Sequence, residues 1–179
     1  MTCHNFGPAE KSEKIVFGAS RPGYYKTVVT EDEVQQWIEF MRRNGIERVV
    51  CLLSDKQLRY YQEDLVKTYK QAFGLESVLS APIGDFHLSS LENLRCVLDF
   101  LEESKVLGQK VVVHCSGGLG RTGHVLAGWL VRVQGLDPEK AIKAIEKGRP
   151  PRRPKEAVNF GYATMAELLN LLNKVSRKR

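Results

Sequence analysis

Apolar residues are distributed along the chain in two alternating patterns, one typical of strands and the other of helices. Short apolar runs at 15–17, 48–53, 77–83 and 110–114 have the length of strands, and the β-branched runs predict strands buried on both faces. Between them, apolar residues recur at spacings of three and four, which predicts amphipathic helices. The predicted helices cover 31–44 and 55–72, a segment from Ser89, 125–133, a segment from Asp137, and a segment from Lys155 to the tail.

Capping residues mark where several of these helices begin. Thr30 with Glu33, and Ser89 with Glu92, have the spacing of a capping box, in which two side chains satisfy free N–H groups of the first turn. Gly45 is placed to end the first helix. These residues support the helix assignments independently of the apolar spacing.

The order of the elements predicts a layered α/β domain with a mostly parallel central sheet. No repeat or change in composition divides the 179 residues, so we expect one domain over 1–179 with flexible ends at 1–14 and 174–179. Ligands of such sheets bind beyond the carboxyl ends of the strands. The residues after the strands at 77–83 and 110–114 are therefore candidates for a site.

The composition is that of a globular protein with a moderate positive charge. Hydrophobic residues make up 42% and charged residues 27% of the chain, which argues against disordered, collagen-like and coiled-coil classes. The net charge of +6 comes from nine basic residues within 147–155 and 174–179; the remainder has 18 basic and 21 acidic residues. A broad positive face for nucleic acid is therefore not indicated.

Cysteine usage and hydropathy point to a cytoplasmic protein. No apolar run approaches the length of a membrane span, and the N-terminus is too polar for a signal peptide. Cys3, Cys51, Cys96 and Cys115 form no CxxC pair, so neither a disulfide framework nor a zinc site is indicated. We expect free thiols, a monomer, and no metal or other cofactor.

The residues that carry chemistry are concentrated in HCSGGLGRTG at 114–123, between a predicted buried strand and an apolar helix. Three glycines within four residues let the backbone curl with its N–H groups pointing inward, which makes a nest for an anion such as phosphate. Cys115 is placed to ionise readily, because helix N-termini and neighbouring arginines favour a thiolate. Arg121 can hold two phosphate oxygens with its planar guanidinium.

This segment resembles the signature HCxxGxxR[ST]G of the cysteine-dependent protein tyrosine phosphatases, and every fixed position is matched. Over about 15–165 the chain is most similar to the dual-specificity branch, particularly to kinase-associated-phosphatase-like proteins. The resemblance implies a three-layer phosphatase fold, with four to five mostly parallel strands flanked by helices. It also implies metal-free hydrolysis of phosphotyrosine proteins through a phosphocysteine intermediate, with phosphoserine and phosphothreonine as further candidate substrates.

The resemblance also implies roles for the residues of the motif. Cys115 would be the nucleophile, and His114 would orient the loop. The Thr122 hydroxyl would bond to the cysteine sulfur and help it leave, although a helix N-cap is an alternative role. The phosphate would be bound by Ser116, Gly117, Gly118, Leu119, Gly120 and Arg121.

A general acid is needed from another loop, and the family places an aspartate about 30 residues before the cysteine. Asp85 lies 30 residues before Cys115 and follows a predicted strand, so it is our candidate; a simple turn aspartate is the alternative. His87 is a substitute candidate. Phe86 departs from the small residues often found beside the family's acid. No water-positioning glutamine is evident, so hydrolysis would rely on Asp85 and on Asn159.

The expected surroundings of the loop are basic and aromatic. By resemblance, 148–158 borders the site, and its basic residues would attract an acidic substrate unless they form only a solvated turn. Arg21 would form another wall of the cleft, with Tyr24 or Tyr25 contacting the substrate.

The glycine-rich segment also fits other classes of phosphate-binding protein in part. The glycines of 118–123 satisfy a dinucleotide-binding fingerprint, but 140–146 is predicted helix where an acidic strand end is needed. A Walker phosphate-binding loop is excluded because His124 and Val125 stand where that motif requires Lys and Ser/Thr. A non-catalytic phosphate-binding module and a phosphatase of phosphoinositides, inositol polyphosphates or RNA 5′ phosphates stay open. The loop interior contains no lysine, which favours a singly phosphorylated substrate, while the basic tail keeps membrane or RNA association possible.

Overall fold

The computed structural model describes residues 3–176, and within them five strands form one sheet in the order β1-β2-β5-β3-β4. The strands are β1 (Gly7–Pro8), β2 (Val16–Ser20), β3 (Ile46–Cys51), β4 (Val78–Ser80) and β5 (Lys110–Cys115). The helices are α1 (Glu31–Arg43), α2 (Asp55–Leu58), α3 (Leu65–Phe73), α4 (Leu91–Leu107), α5 (Gly120–Gln134), α6 (Pro138–Glu146), α7 (Glu156–Asn159) and α8 (Met165–Val175). Only β1 runs antiparallel to its neighbour, so the predicted α/β fold with a mostly parallel sheet is confirmed.

The central strand β5 separates two apolar layers. It pairs in parallel with β2 and β3, and its valines are fully buried. Val111 and Val113 pack with the layer of α4, α5, α6 and α8, whereas Val112 packs with the layer of α1 and α3. Side chains of a strand alternate between faces, so this β-branched run fills both cores and holds the end of β5 rigidly.

Helix α1 begins and ends where the sequence predicts. The Thr30 hydroxyl accepts a hydrogen bond from the N–H of Glu33 (3.4 Å), and Glu33 Oε2 accepts one from the N–H of Thr30 (3.1 Å). Gly45 follows the helix with a φ of 77°. Trp37 is fully buried, and its Nε1 donates to the carbonyl of Ser20 (2.9 Å), which ties α1 to the end of β2.

Side-chain caps divide two segments that the apolar spacing predicted as single helices. The helix predicted at 55–72 is α2 followed by α3, because Asp64 caps α3 by accepting from the N–H of Lys67 (3.0 Å). The last helix is likewise α7 followed by α8, which Thr164 caps together with Glu167. The spacing of apolar residues continues across the break between two helices, whereas the capping residues mark where the second helix begins.

The predicted start of α4 was displaced by one residue. Ser90, rather than Ser89, is the N-cap, and its hydroxyl accepts from the N–H of Asn93 (3.1 Å). Ser89 instead donates its N–H to His124 Nε2 (3.1 Å), which joins the start of α4 to α5. None of the helices within 3–176 is both long and apolar enough to span a bilayer.

Parts of the segments predicted to be flexible, 1–14 and 174–179, belong to regular elements. Gly7–Pro8 pairs with β2, and Gly7 packs so closely that an added Cβ would lie 2.6 Å from the carbonyl oxygen of Arg149. At the other end, α8 extends to Val175, which is buried. The rest of that prediction, at 1–2 and 177–179, falls outside the described residues.

Candidate active site

The motif lies at the carboxyl end of the sheet, where β5 leads into α5. Cys115 is the last residue of β5 and is only 2% exposed. Residues 116–119 form the turn, and α5 begins at Gly120 without a side-chain cap. The first N–H groups of α5 are therefore free to bind a ligand at this edge.

Four consecutive carbonyl groups of the loop, at 116–119, each accept a hydrogen bond from a donor outside the loop. The donors are, in order, the N–H of Arg21 (3.0 Å), Asn5 Nδ2 (3.0 Å), the Arg152 guanidinium and the N–H of Arg153 (3.2 Å). Within residues 3–176, the N–H groups of 116–121 donate to no hydrogen bond. Because the carbonyls are bound by donors outside the loop, these N–H groups stay available for an anion.

Two glycines of the loop are required by close approaches. Gly118 has a φ of 69°, and a Cβ there would collide with Ala19 and lie 2.7 Å from the backbone nitrogen of Ser20. A Cβ on Gly117 would lie 2.8 Å from the hydroxyl oxygen of Tyr24, so this ring covers one side of the loop. The loop therefore packs directly on the end of β2.

Arg121 is held in one orientation by groups from two segments. It is 2% exposed, and its Nη1 donates to Gln57 Oε1 (2.7 Å) and to the carbonyl of Ile83 (3.1 Å). Its Nη2 forms an ion pair with Asp85 Oδ1 (2.8 Å). The structure thus brings the predicted aspartate to the predicted arginine.

Gln57 is a residue of the site that sequence reasoning missed. It lies in α2 and is 6% exposed; while Oε1 accepts from Arg121, Nε2 donates to Asp85 Oδ2 (3.3 Å). One feature of the sequence could have indicated it. Gln57 comes shortly after the strand predicted at 48–53, which corresponds to β3, and ligands bind beyond the carboxyl ends of such strands. The short polar helix α2 carries no sequence pattern that indicates a binding or catalytic residue.

The loop that carries Asp85 is held by aromatic packing. Phe86 has a φ of 60°, and its ring packs against Phe160 (4.8 Å between centroids) and Tyr162 (6.1 Å). Phe86, at a position where the family often has a small residue, therefore packs this loop against the two rings. His87, the substitute acid, lies against Tyr162, with Nδ1 2.7 Å from the backbone oxygen of Asp85.

His114 is buried on the α1 and α3 side of the sheet, directly before the nucleophile candidate. Its ring contacts those of Trp37 (5.3 Å) and Tyr69 (5.6 Å), and Nδ1 donates to the carbonyl of Cys115 (3.3 Å). Burial lowers the pKa of His114 to about 3, so the imidazole is neutral at physiological pH. A neutral, packed ring fits an orienting role better than proton transfer.

The Thr122 hydroxyl forms neither of the two contacts predicted for it. Its hydroxyl is buried and has no hydrogen-bond partner within 3–176, so the bond to Cys115 Sγ is not formed here. Its methyl group faces β2, where a Cβ on Gly18 would lie 2.9 Å from Thr122 Cγ2. The helix N-cap position is occupied by Leu119 instead.

Two arginines expected to face a substrate are instead buried under the loop. Arg21 is 3% exposed and donates to Ser116 Oγ (3.3 Å) and to the hydroxyl of Tyr61 (3.3 Å). Arg152 is also 3% exposed, and burial lowers its pKa to about 10. Both side chains bind carbonyl and hydroxyl oxygens, so they support the loop and do not form a wall of the cleft.

The rest of the basic segment is divided between solvent and an ion pair. Lys147, Arg149 and Arg153 are exposed, and Lys155 pairs with Glu146 (2.8 Å). Asn159, at the end of α7, is exposed. The α7 residue that reaches the loop is Glu156, whose carboxylate occupies the space beside Gly120.

Comparisons with known proteins relate the chain to phosphatases. The family model described as polymorphic toxin system, DSP-PTPase phosphatase, matches residues 18–135. A mouse phosphatidylglycerophosphatase and protein-tyrosine phosphatase 1 is 35% identical over 83 residues, 46% of this chain and 42% of that protein. A mouse RNA/RNP complex-1-interacting phosphatase is 33% identical over 95 residues, 51% of this chain and 28% of that protein. Each match thus spans less than half of the relative.

Solved structures resemble nearly the whole chain. Tk-PTP in its active form has a TM-score of 0.69 and 25% identity, with 95% of this chain and 97% of that chain covered. Kinase associated phosphatase has a TM-score of 0.70 and 21% identity, with 92% and 89% covered. The second likeness concerns the fold alone.

Proposed function

The chain belongs to the DSP-PTPase phosphatase family of polymorphic toxin systems, and from this membership we propose that it removes phosphate from phosphorylated proteins through a phosphocysteine intermediate. One observation carries the proposal. Six consecutive N–H groups, at 116–121, have no hydrogen-bond partner within residues 3–176, while donors outside the loop bind the carbonyls of 116–119. Such a nest is formed before any ligand arrives, so little reorganisation is needed to bind the three terminal oxygens of a phosphate ester.

In the first step, the Cys115 thiolate attacks phosphorus and the ester oxygen leaves. The N–H groups of 116–121 and the Arg121 guanidinium stabilise the equatorial oxygens as charge redistributes. Asp85 donates a proton to the leaving oxygen, so that an alcohol or phenol departs. Its position beside Arg121 supports this role, because Arg121 also binds the phosphate that carries the leaving group.

The second step returns the cysteine. Water attacks the phosphorus of phosphocysteine, the phosphorus–sulfur bond breaks, and inorganic phosphate leaves. The sulfur departs as a thiolate, so Cys115 is ready for the next substrate. Splitting the reaction in this way replaces one difficult displacement by two easier ones.

We further propose phosphotyrosine as the principal target, in the cytoplasm and with a monomeric enzyme. The interior of the loop is Ser-Gly-Gly-Leu-Gly, and this segment offers no lysine to meet a second phosphate group on a substrate. Exposed aromatic rings border the site at Tyr25 and at Phe160 and Tyr162, which suits a substrate with an aryl group.

The catalytic proposal is tested by phosphate release from p-nitrophenyl phosphate in the presence of a metal chelator. We expect activity that vanadate blocks and that Cys115→Ser abolishes, because a hydroxyl is a far weaker nucleophile than a thiolate. Cys96→Ser, at an exposed position in α4, is the matched control and should keep wild-type activity. Undiminished activity in Cys115→Ser would refute the phosphocysteine route.

The alternative substrate class is a phosphate ester outside proteins. It is favoured by the two mouse relatives, one a phosphatidylglycerophosphatase and protein-tyrosine phosphatase 1 and the other an RNA/RNP complex-1-interacting phosphatase. Phosphotyrosine and phosphothreonine peptides, phosphoinositides and 5′-triphosphorylated RNA should be compared by kcat/KM. If the substrate is a phosphoprotein, kcat/KM should be highest for a phosphotyrosine peptide. A kcat/KM tenfold higher for a lipid or an RNA would replace the phosphoprotein as the proposed substrate.

A further inference from the structure

Glu156 places a second carboxylate at the mouth of the loop, outside the motif. It is the first residue of α7, and a Cβ on Gly120 would collide with its Oε2 and lie 2.6 Å from its Cδ. Gly120 contributes one of the inward N–H groups. The carboxylate therefore lies directly beside the phosphate-binding backbone.

The segment before Glu156 is attached to the loop by two hydrogen bonds. Arg152 donates to the carbonyl of Gly118, and the N–H of Arg153 donates to the carbonyl of Leu119 (3.2 Å). The N–H of Glu156 in turn donates to the carbonyl of Arg153 (2.9 Å). These hydrogen bonds fix the position of Glu156 relative to the loop.

The environment of this carboxylate is unusual for a structural residue. Within 3–176 it accepts no hydrogen bond and forms no ion pair, although it is half-buried. Burial raises the pKa of Glu156, and the charge of Asp85 raises it further, whereas Arg153 and Arg121 lower it. A carboxylate with a raised pKa is a stronger proton acceptor than an ordinary glutamate.

The other carboxylate of the site is differently engaged. Asp85 bonds through one oxygen to Arg121 (2.8 Å) and through the other to Gln57 (3.3 Å). Two carboxylates in distinct environments, one bound by hydrogen-bond donors and one without a partner, can take separate parts in proton transfer.

We propose, building on the phosphatase function proposed above, that Glu156 is the general base for hydrolysis of the phosphocysteine. A water molecule attacks phosphorus, and its proton passes to Glu156 Oε2 as the new oxygen–phosphorus bond forms. The phosphorus–sulfur bond breaks and Cys115 leaves as the thiolate. Asp85 acts in the first step by protonating the leaving oxygen, so the two carboxylates divide the reaction.

The test separates the two steps by rapid mixing of the full chain with p-nitrophenyl phosphate. In Glu156→Gln we expect a burst of one nitrophenolate per enzyme, followed by a steady-state kcat about 100-fold below wild type, within the usual range for loss of a general base. The kcat should become insensitive to the leaving group, because hydrolysis then limits the rate. In Asp85→Asn, by contrast, kcat should depend more steeply on the leaving group.

Two further variants exclude a structural explanation. Glu139→Gln, on an exposed face of α6, should keep wild-type kinetics. Glu156→Asp retains a carboxylate and should recover part of the hydrolysis rate, with a melting temperature close to that of the wild type. If Glu156→Gln unfolds, Glu156→Asp must slow hydrolysis more than it slows nitrophenolate release, or the inference fails.

The pH profile gives an independent readout. The charged and titratable groups around Glu156 are Arg153, Asp85, Arg121 and Tyr24. The acidic limb of the hydrolysis rate should disappear in Glu156→Gln and persist in Glu139→Gln. A Glu156→Gln enzyme within threefold of wild type, or one slowed without a burst, overturns this inference; activity that survives Cys115→Ser overturns the phosphatase mechanism itself.

Discussion

Gln57 joins the cation and the anion of the site through one uncharged side chain. An amide accepts at its oxygen and donates at its nitrogen, so it satisfies Arg121 (2.7 Å) and Asp85 (3.3 Å) at once. A carboxylate in its place would repel Asp85, and an ammonium would repel Arg121. Because Gln57 is buried, its orientation is fixed by these partners and by α2.

We predict that Gln57→Met, which keeps the volume and removes both hydrogen bonds, lowers kcat/KM about tenfold, the equivalent of about 1.4 kcal/mol. The inhibition constant of vanadate should rise in parallel, since Arg121 loses one of its supports. Gln71→Met, at an exposed position in α3, is the control and should match the wild type. A change in melting temperature without any change in vanadate affinity would show that Gln57 serves stability alone.

At the scale of elements, the site is made by the junction of β5, the turn at 116–119 and α5. The buried valines of β5 hold the strand end, and outside donors hold the carbonyls of the turn, so the N–H groups face the ligand without help from side chains. Gly118 makes this possible because it combines a positive φ with contact to the backbone of β2.

Gly118→Ala should lower kcat/KM at least 100-fold, because a methyl group collides with β2 and the turn must move. Gly108→Ala is a matched control, since Gly108 also has a φ of 69° but no atom within 4 Å of an added Cβ. Both variants carry the cost of a left-handed alanine, about 1 kcal/mol. That cost lowers the melting temperature by about 2–4 °C for a chain of this size. Activity of Gly118→Ala within tenfold of Gly108→Ala would contradict the steric argument.

At the scale of the whole molecule, Arg152 joins segments that are far apart in the chain. Its guanidinium donates to the carbonyls of Gly7 (3.3 Å), Gly18 (2.9 Å) and Gly118, which lie 145, 134 and 34 residues away. A planar group with five N–H donors can serve several carbonyls, whereas lysine offers a single point of attachment. Burial of this cation is costly, as its lowered pKa indicates, and the hydrogen bonds offset that cost.

Replacing Arg152 by Met should leave buried carbonyls without donors and lower the free energy of unfolding by about 3 kcal/mol, or roughly 10 °C in melting temperature. Arg152→Lys should recover only part of this loss. Arg153→Met, which changes the exposed neighbour and keeps its N–H, should melt with the wild type. An Arg152→Met melting temperature within about 2 °C of wild type would mean that solvent replaces the guanidinium.

Part of the site was predictable because it is formed by residues that are close together in the sequence. The strand, glycine turn and helix that form the anion nest are consecutive in sequence, so periodicity and composition located them without a structure. Asp85 required the family resemblance, which supplied its spacing from Cys115. The capping box of α1 was equally local, whereas the cap at Ser90 lay one residue from the predicted one because two serines compete for that position.

The sequence by itself determined the α/β class, the strand, glycine turn and helix of the loop, and the placement of Cys115 and Arg121 in it, since each depends on residues within a few positions of one another. Only the tertiary structure decided which distant side chains surround that loop. Gln57, Arg152 and Glu156 come from segments with no distinctive local pattern, and they meet the loop because packing of α2 and the 152–156 segment brings them there. Local spacing reports which face of an element is apolar, but the contacts between elements depend on how those faces pack together.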